Sequence, residues 1–364
     1  MSGKRQSIAY FISPHGFGHA ARACAVMDAV HRLDGEIEFQ VYARTPRWFF
    51  EDSLSGPWKY HPLITDIGFV QRGPLEIDLP ETLSRLDRFY PPDPVFVEEI
   101  AHAISKQGCG LVVCDIAPLG IEVARAAGVP SVLIENFTWD WLYEYYVGRE
   151  PGLRRHCRQL RKLFAAADFH VQTEPICLRG NADLITGPAN RRTRMSRSEV
   201  RERLAVSSRE KMVLLTMGGI RDRNPSLDSL KELAGIRFIV PGGAAGAARQ
   251  RGSLTLLPQR SEYFHPDLVA ASDAVVGKVG YSTLAETYDA GVPFGYVMRG
   301  DFRESPVLVA FVEKNMKGML IAEEELYDGA WVAGLDDLLA LPRVSPRATK
   351  GSNEIGRFLL KVLK

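Results

Sequence analysis

Two histidines flank a glycine turn near the start of the chain, in His15-Gly16-Phe17-Gly18-His19. An imidazole that titrates near neutrality can take a proton from a hydroxyl at physiological pH, so His19 is a candidate general base. His19 could also hydrogen-bond a sugar, and His15 reads equally as functional or structural. Glycine at position 18 lets the backbone come close to a ligand, and the start of a following helix turns unpaired N–H groups toward an anion. The loop lacks the third glycine and the acidic ribose partner of the dinucleotide fingerprint. A tight turn with structural histidines fits the same residues.

A second stretch, Val275-Val276-Gly277-Lys278-Val279-Gly280-Tyr281-Ser282-Thr283-Leu284-Ala285-Glu286, runs from an apolar strand through a glycine loop into a helix. Gly280, Ser282 and Thr283 fall at the helix start, where backbone N–H groups and hydroxyls can bind phosphoryl oxygens. Glu286, one turn on, suits two vicinal ribose hydroxyls. A capping box, with Thr283 capping and Glu286 returning the bond, has the same spacing.

Three further places carry chemistry. In Thr216-Met217-Gly218-Gly219-Ile220-Arg221 the backbone of Gly218 and Gly219 can face a pyrophosphate, with Arg221 adding charge. In Met298 to Ser305, Arg303 can neutralise phosphate or orient a sugar, and Glu304 can accept from sugar hydroxyls. A solvated loop with a helix-cap acid is the plain alternative. The segment Ile134-Glu135-Asn136-Phe137-Thr138-Trp139-Asp140-Trp141, followed by Tyr143, Tyr145 and Tyr146, places rings beside polar groups. Such rings stack on sugar faces, or fill a core. Trp48, Phe49 and Phe50 read as core, lid or membrane-facing surface.

These loops need elements to hold them. Apolar runs at 8–12, 39–42, 111–114 and 132–134 read as buried parallel strands separated by helices, one of them spanning 121–127. A second series lies at 212–216, 236–240, 254–257, 274–276 and 294–298, with helices at 283–289 and 306–315. The pattern implies two doubly wound α/β domains, 1–190 and 191–349. Ile355, Phe358, Leu359 and Val362 share one face of a last helix within 350–364. The proline-rich stretch 66–93 reads as a long excursion with short helical pieces. The arginines between 191 and 203 read as a solvated face or as a patch for phosphate or acidic lipid.

Composition bounds the function. The chain has 364 residues, enough for two cores, with 46% hydrophobic and 24% charged residues. A net charge of +1 gives no global attraction to nucleic acid. The apolar run at 8–12 is too short for a secretory signal core, and no apolar segment is long enough to span a bilayer. Five cysteines, widely spaced and odd in number, argue against a disulfide framework. The expectation is a cytoplasmic protein with no metal site.

The chain resembles GT-B glycosyltransferases, with two Rossmann-like domains whose parallel sheets face an interdomain cleft. His15 to Arg22 and Asn136 to Asp140 look like motifs of the glycosyltransferase-like N-terminal portion of plant arabinokinase and its bacterial stand-alone relatives. Gly277 to Glu286 is similar to the donor loop of the peptidoglycan N-acetylglucosaminyltransferase. The resemblance implies a uridine-based nucleotide-sugar donor held in the second domain. Gln259 and Arg260 would lie near the base, Gly280, Ser282 and Thr283 at the diphosphate, Glu286 at the ribose, and Arg303 and Glu304 at the sugar. Many members carry Asp-Gln or Glu-Gln where Arg303-Glu304 stands. His19 falls on the family's cleft histidine, with Asp115 or Asp140 to orient it. Gly18 would serve the donor, while His15, Asn136, Trp139 and Trp141 would serve an acceptor of unknown identity. The implied reaction is inverting transfer without a cofactor. A nucleotide-sugar epimerase and a non-catalytic nucleotide-sugar binder remain alternatives, and peripheral membrane contact stays open. A sugar kinase is disfavoured, because no GxxxxGK[ST] loop is present.

Overall fold

The structure is a computed structural model that describes residues 6–73, 76–217, 227–344 and 351–364. The chain divides into two compact units. One comprises Met1–Arg72, Ile77–Arg191 and Ala348–Lys364, the other Gly73–Glu76 and Arg192–Arg347.

Among the described residues the first unit carries seven strands: β1 (Ser7–Ile12), β2 (Glu38–Ala43), β3 (Trp58–Pro62), β4 (Cys109–Asp115), β5 (Ser131–Glu135), β6 (Phe169–Thr173) and β7 (Leu184–Thr186). They form one sheet in the order 3-2-1-4-5-6-7, and every pairing is parallel. The apolar runs at 8–12, 39–42, 111–114 and 132–134 lie inside β1, β2, β4 and β5. The other three strands lack such a signature. β3 is an edge strand carrying Lys59 and His61, β6 mixes His170 and Gln172 with apolar residues, and β7 has 3 residues. Its helices are α1 (Gly18–Leu33), α2 (Arg47–Glu51), α3 (Leu79–Phe89), α4 (Pro94–Lys106), α5 (Pro118–Ala127), α6 (Trp139–Glu144) and α7 (Leu153–Ala165). Within the proline-rich stretch, α3 is a full helix of 11 residues, started by Asp78, whose side chain accepts from the Glu81 N–H.

The second unit carries β8 (Lys211–Thr216), β9 (Ile236–Ala244), β10 (Arg249–Arg251), β11 (Leu254–Pro258), β12 (Ala274–Lys278), β13 (Phe294–Val297) and β14 (Gly318–Ile321). The sheet order is 10-11-9-8-12-13-14. All pairings are parallel except β10 with β11, a short antiparallel edge. Its helices are α8 (Arg197–Arg203), α9 (His265–Ala271), α10 (Tyr281–Ala290), α11 (Ser305–Asn315), α12 (Glu323–Asp328) and α13 (Leu335–Ala340). Apolar side chains from both faces of this sheet are buried, Leu214 and Phe294 in one cluster and Val213 and Phe238 in another. That burial on two faces explains strands that read as continuous apolar runs.

The chain then returns to the first unit as α14 (Gly351–Val362), which packs on α1. Ile355 and Leu359 are fully buried in the same cluster as Met27 and Val30. Burying each such side chain is worth about 1.5–3 kcal/mol. A Cβ at Gly356 would lie 3.2 Å from that of Ala29, so glycine lets the two helices approach closely.

In a doubly wound sheet, the place where strand order reverses opens a crevice at the carboxyl ends of the strands. Here the first reversal lies between β1 and β4, and the second between β8 and β12. The glycine loops leave from these strands.

Candidate functional site

In the first unit, β1 and β4 run in register to their last residues, Ile12 beside Asp115. The Ser13 N–H donates to the Asp115 carbonyl at 3.2 Å and ties the outgoing loop to β4. Gly16 has φ +67°, a left-handed turn that favours glycine, and α1 starts two residues later. His19 therefore stands in the first turn of α1, over the end of β4. Its Nδ1 lies 2.8 Å from Asp115 Oδ1. Both side chains are buried, with relative exposures of 9% and 0%.

Arg22, one turn further along α1, grips the same carboxylate. Its Nε donates to Oδ2 at 2.7 Å and its Nη2 to Oδ1 at 2.6 Å. Burial alone would raise the Asp115 pKa. Arg22 and then His19 more than offset this and hold the carboxyl below its ordinary value. Arg22 Nη1 donates in turn to Asn136 Oδ1, and Asn136 Nδ2 donates to the Thr173 carbonyl at 2.6 Å. Ends of β1, β4, β5 and β6 thus converge on one buried polar network. It can hold an imidazole with Nδ1 engaged, leaving Nε2 to take a proton.

Beside it lies a cage of rings. Trp139 is 1% exposed and stacks on Tyr143 at 5.8 Å, with His15, His19, Phe69 and Phe137 also against it. Tyr143 and Tyr146 are fully buried. These aromatics fill a core whose rim holds the two histidines. Under the rings sits Asp66, which accepts from Ser13 Oγ at 3.2 Å, Tyr90 Oη at 2.9 Å and the Ile67 N–H at 2.7 Å. Burial pushes its carboxyl up to about 7 despite these donors. The Trp139 indole N–H acts in the donors' direction, though it falls outside hydrogen-bond geometry.

In the second unit, Gly277 of β12 lies beside Thr216 of β8 at the strand reversal. Gly280 is the N-cap of α10 and supplies no side-chain cap. A capping box between Thr283 and Glu286 is thus not what starts this helix. A Cβ on Gly280 would meet no described atom within 4 Å, so the helix start is open beside it. Thr283 and Glu286 are buried, at 4% and 3% exposure, and Ser282 is half-buried. Glu286 Oε2 lies 2.8 Å from His265 Nδ1, while His265 Nε2 lies 3.4 Å from Thr216 Oγ1. Glu304, the residue before α11, is buried against Arg299, which donates from Nη2 to Oε1 at 2.5 Å and lies over the Phe302 ring. Arg303 is half-buried, and Gln259 and Arg260 are exposed just after β11.

The remaining candidates fall elsewhere. Asp140 accepts from Arg161 Nε at 3.1 Å, so the carboxylate paired with His19 is that of Asp115. Trp141 is half-buried. Gly218, Gly219 and Arg221 lie outside the described residues. Phe49 and Phe50 are core residues, with Phe49 stacked on Phe17 at 5.0 Å. In the arginine-rich stretch, Arg197 and Arg201 both pair with Asp273, and Arg194 lies over the Phe264 ring. Those guanidinium groups brace the second unit. Among the described residues no group of three or more His, Cys, Asp or Glu is arranged to hold a metal, and no helix is long and apolar enough to cross a membrane.

No family model matches the chain. A curated relative is L-arabinokinase from Arabidopsis thaliana, 29% identical over 353 residues, which cover 93% of this chain. The match takes up 33% of the arabinokinase, so the chain spans about a third of that relative's length. Among solved structures, a UDP-glucosyltransferase from Polygonum tinctorium superposes with a TM-score of 0.60 at 14% identity, covering 100% of this chain and 99% of that one. A UDP-glucose:anthocyanidin 3-O-glucosyltransferase in complex with UDP gives 0.61 at 14% identity, with 100% and 99% covered.

The fold is GT-B.

Within this GT-B chain, three residues of these clusters, Arg22, His265 and Arg299, are not among the sequence candidates, although Arg22 closes the His15 to Arg22 motif and Arg299 lies in the Met298 to Ser305 segment. Arg22 stands three residues after His19, a spacing that puts both on one helix face. His265 and Arg299 gain meaning only from the carboxylates they touch.

Proposed function

We propose that this chain transfers a sugar from a uridine diphosphate-linked donor to a hydroxyl acceptor, with inversion at the anomeric carbon. The His19–Asp115 pair at 2.8 Å carries the reading. His19 Nε2 takes the acceptor proton as the acceptor oxygen bonds to the anomeric carbon. The bond from that carbon to the diphosphate oxygen breaks, and uridine diphosphate leaves. Asp115 keeps the imidazole oriented. The acceptor belongs to the first unit, beside His15 and Trp141, with the buried Asn136 and Trp139 acting only through the side chains they hold, and the donor to the second.

Gly280, Ser282 and Thr283 would receive the diphosphate at the open start of α10, where N–H groups favour negative charge. Glu286 would accept from the ribose. Glu304 Oε2 has no hydrogen-bond partner among the described residues and can accept from a sugar hydroxyl, with Arg303 alongside. Two solved GT-B structures named for UDP-glucose chemistry support the choice of uridine.

Calorimetric titration with uridine, adenosine, guanosine and thymidine diphosphates tests the donor. Product analysis by NMR with matching nucleotide sugars and a panel of hydroxyl acceptors then tests transfer. Uridine diphosphate binding with an inverted glycoside as product is expected. Absence of nucleotide binding would overturn the proposal. A rearranged nucleotide sugar formed without acceptor would mark an epimerase, and binding with no turnover a non-catalytic binder.

A further inference from the structure

We propose that His265 is a positioning residue, which aims the Glu286 carboxylate at the vicinal hydroxyls of a bound ribose and so lets this chain tell ribonucleotides from 2′-deoxyribonucleotides. The inference rests on the reading of Glu286 as the ribose acceptor and adds the residue that makes it selective.

Glu286 lies inside α10, and its side chain is 2% exposed. The helix start does not use it, because Gly280 caps through backbone alone. A buried carboxylate needs compensating donors. His265, the first residue of α9, supplies one through Nδ1, 2.8 Å from Oε2. The opposite ring nitrogen, Nε2, lies 3.4 Å from the hydroxyl of Thr216, the last residue of β8. The Nδ1–H donates to the Glu286 carboxylate, and the Thr216 hydroxyl steadies the opposite side of the ring. One carboxylate oxygen is thereby held. Holding one oxygen sets the plane of the group and therefore the direction in which the other accepts.

This chain of contacts joins α9, α10 and the end of β8. It therefore ties Glu286 to the strand reversal where β8 meets β12. A carboxylate oriented before the ligand arrives loses little rotamer freedom on binding, and this is the gain that preorganisation brings. A 2′-deoxyribose offers one hydroxyl instead of two, so the gain applies to the ribonucleotide.

The test is calorimetric titration of the full chain with uridine diphosphate and with 2′-deoxyuridine diphosphate. Wild type should prefer the ribonucleotide, and Glu286→Gln should lose that preference. His265→Ala should weaken uridine diphosphate binding about three- to tenfold while leaving the deoxynucleotide unchanged. His265→Asn should restore the preference, because its amide places a donor near the Nδ1 position. His265→Phe fills the ring volume without a donor and gives the same readout where the alanine variant does not fold. Retained preference in the alanine or phenylalanine variant overturns the positioning role, as does equal weakening of both ligands. If wild type shows no preference, or Glu286→Gln keeps it, the ribose reading of Glu286 itself fails and takes the role of His265 with it.

Discussion

The imidazole of His19 meets the carboxylate of Asp115, 96 residues further along the chain, at 2.8 Å. Arg22 grips both oxygens of the same carboxylate. The imidazole is thus held by a carboxylate that is already charge-compensated. Asp115 holds the ring in place while Arg22 keeps Asp115 ionised.

His19→Ala should reduce turnover by roughly 100- to 10,000-fold, the usual cost of a lost general base, with donor affinity little changed. Steady-state rates with an acceptor from the screen, together with a donor titration on the same preparations, measure both. Near-wild-type turnover would remove His19 from the reaction. A parallel collapse of donor affinity would make it a structural support of the glycine loop.

Asp115→Ala leaves the buried Arg22 guanidinium without its main partner. Removing one member of such a pair costs about 3–5 kcal/mol, because the remaining charge stays desolvated. Replacing both, with Arg22→Met and Asp115→Leu, should recover much of that loss. Urea unfolding of the two variants against wild type checks this. Equal instability of the single and double variants would show that the network matters for more than its charges.

Asp66 gives stability the opposite pH dependence from Asp115. Its folded pKa of about 7 lies above the ordinary carboxylate value. The protonated form is therefore favoured by folding, and its contribution is complete below the unfolded pKa. That contribution is lost as pH rises toward 7 and stays lost above it. Asp66→Asn, which carries no charge, should remove this part of the profile. The stability of wild type relative to the variant should fall by a few kcal/mol between about pH 4 and 7. Chemical denaturation across that range reads the difference, and two parallel profiles would refute it. Asp115 acts at the acid end. Its depressed pKa stabilises the fold above the ordinary carboxylate range, and that support is lost as pH falls through the folded value.

Gly277→Ala should loosen the glycine loop after β12 from beneath. A Cβ there would overlap the carbonyl oxygen of Thr216, so β12 and β8 must separate. Overpacking of this kind costs about 1–3 kcal/mol. Melting temperature and uridine diphosphate affinity should fall together. An unchanged melting temperature would mean that the strands accommodate the methyl group.

Much of the architecture was legible from local pattern. Runs such as Ile8–Ile12 and Ala274–Val276 are apolar because parallel strands buried on both faces must be, and that demand is written residue by residue. Glycine loops after such strands, and the apolar face of α14, are equally local. The edge strands were not legible. β3, β7 and β14 are short or polar, and pairing with a neighbour rather than burial makes them strands.

The polar partnerships belong to the tertiary structure. Asp115 and Asp140 are indistinguishable as candidates in sequence, since both are acids near apolar segments. Strand order decides between them: β4 lies beside β1, which brings Asp115 under His19, while Asp140 sits on α6 and meets Arg161. Glu286 has the spacing of a helix cap, yet its partner His265 comes from another helix. The arginines of 191–203 read as a solvated face or an anion-facing patch, but Arg197 and Arg201 pair with Asp273 and Arg194 lies over Phe264. Local sequence determines which segments become strands, helices and turns, because backbone preference and burial periodicity act over a few residues. Which charges meet depends on the order in which strands assemble, and that order is set by packing across the whole unit.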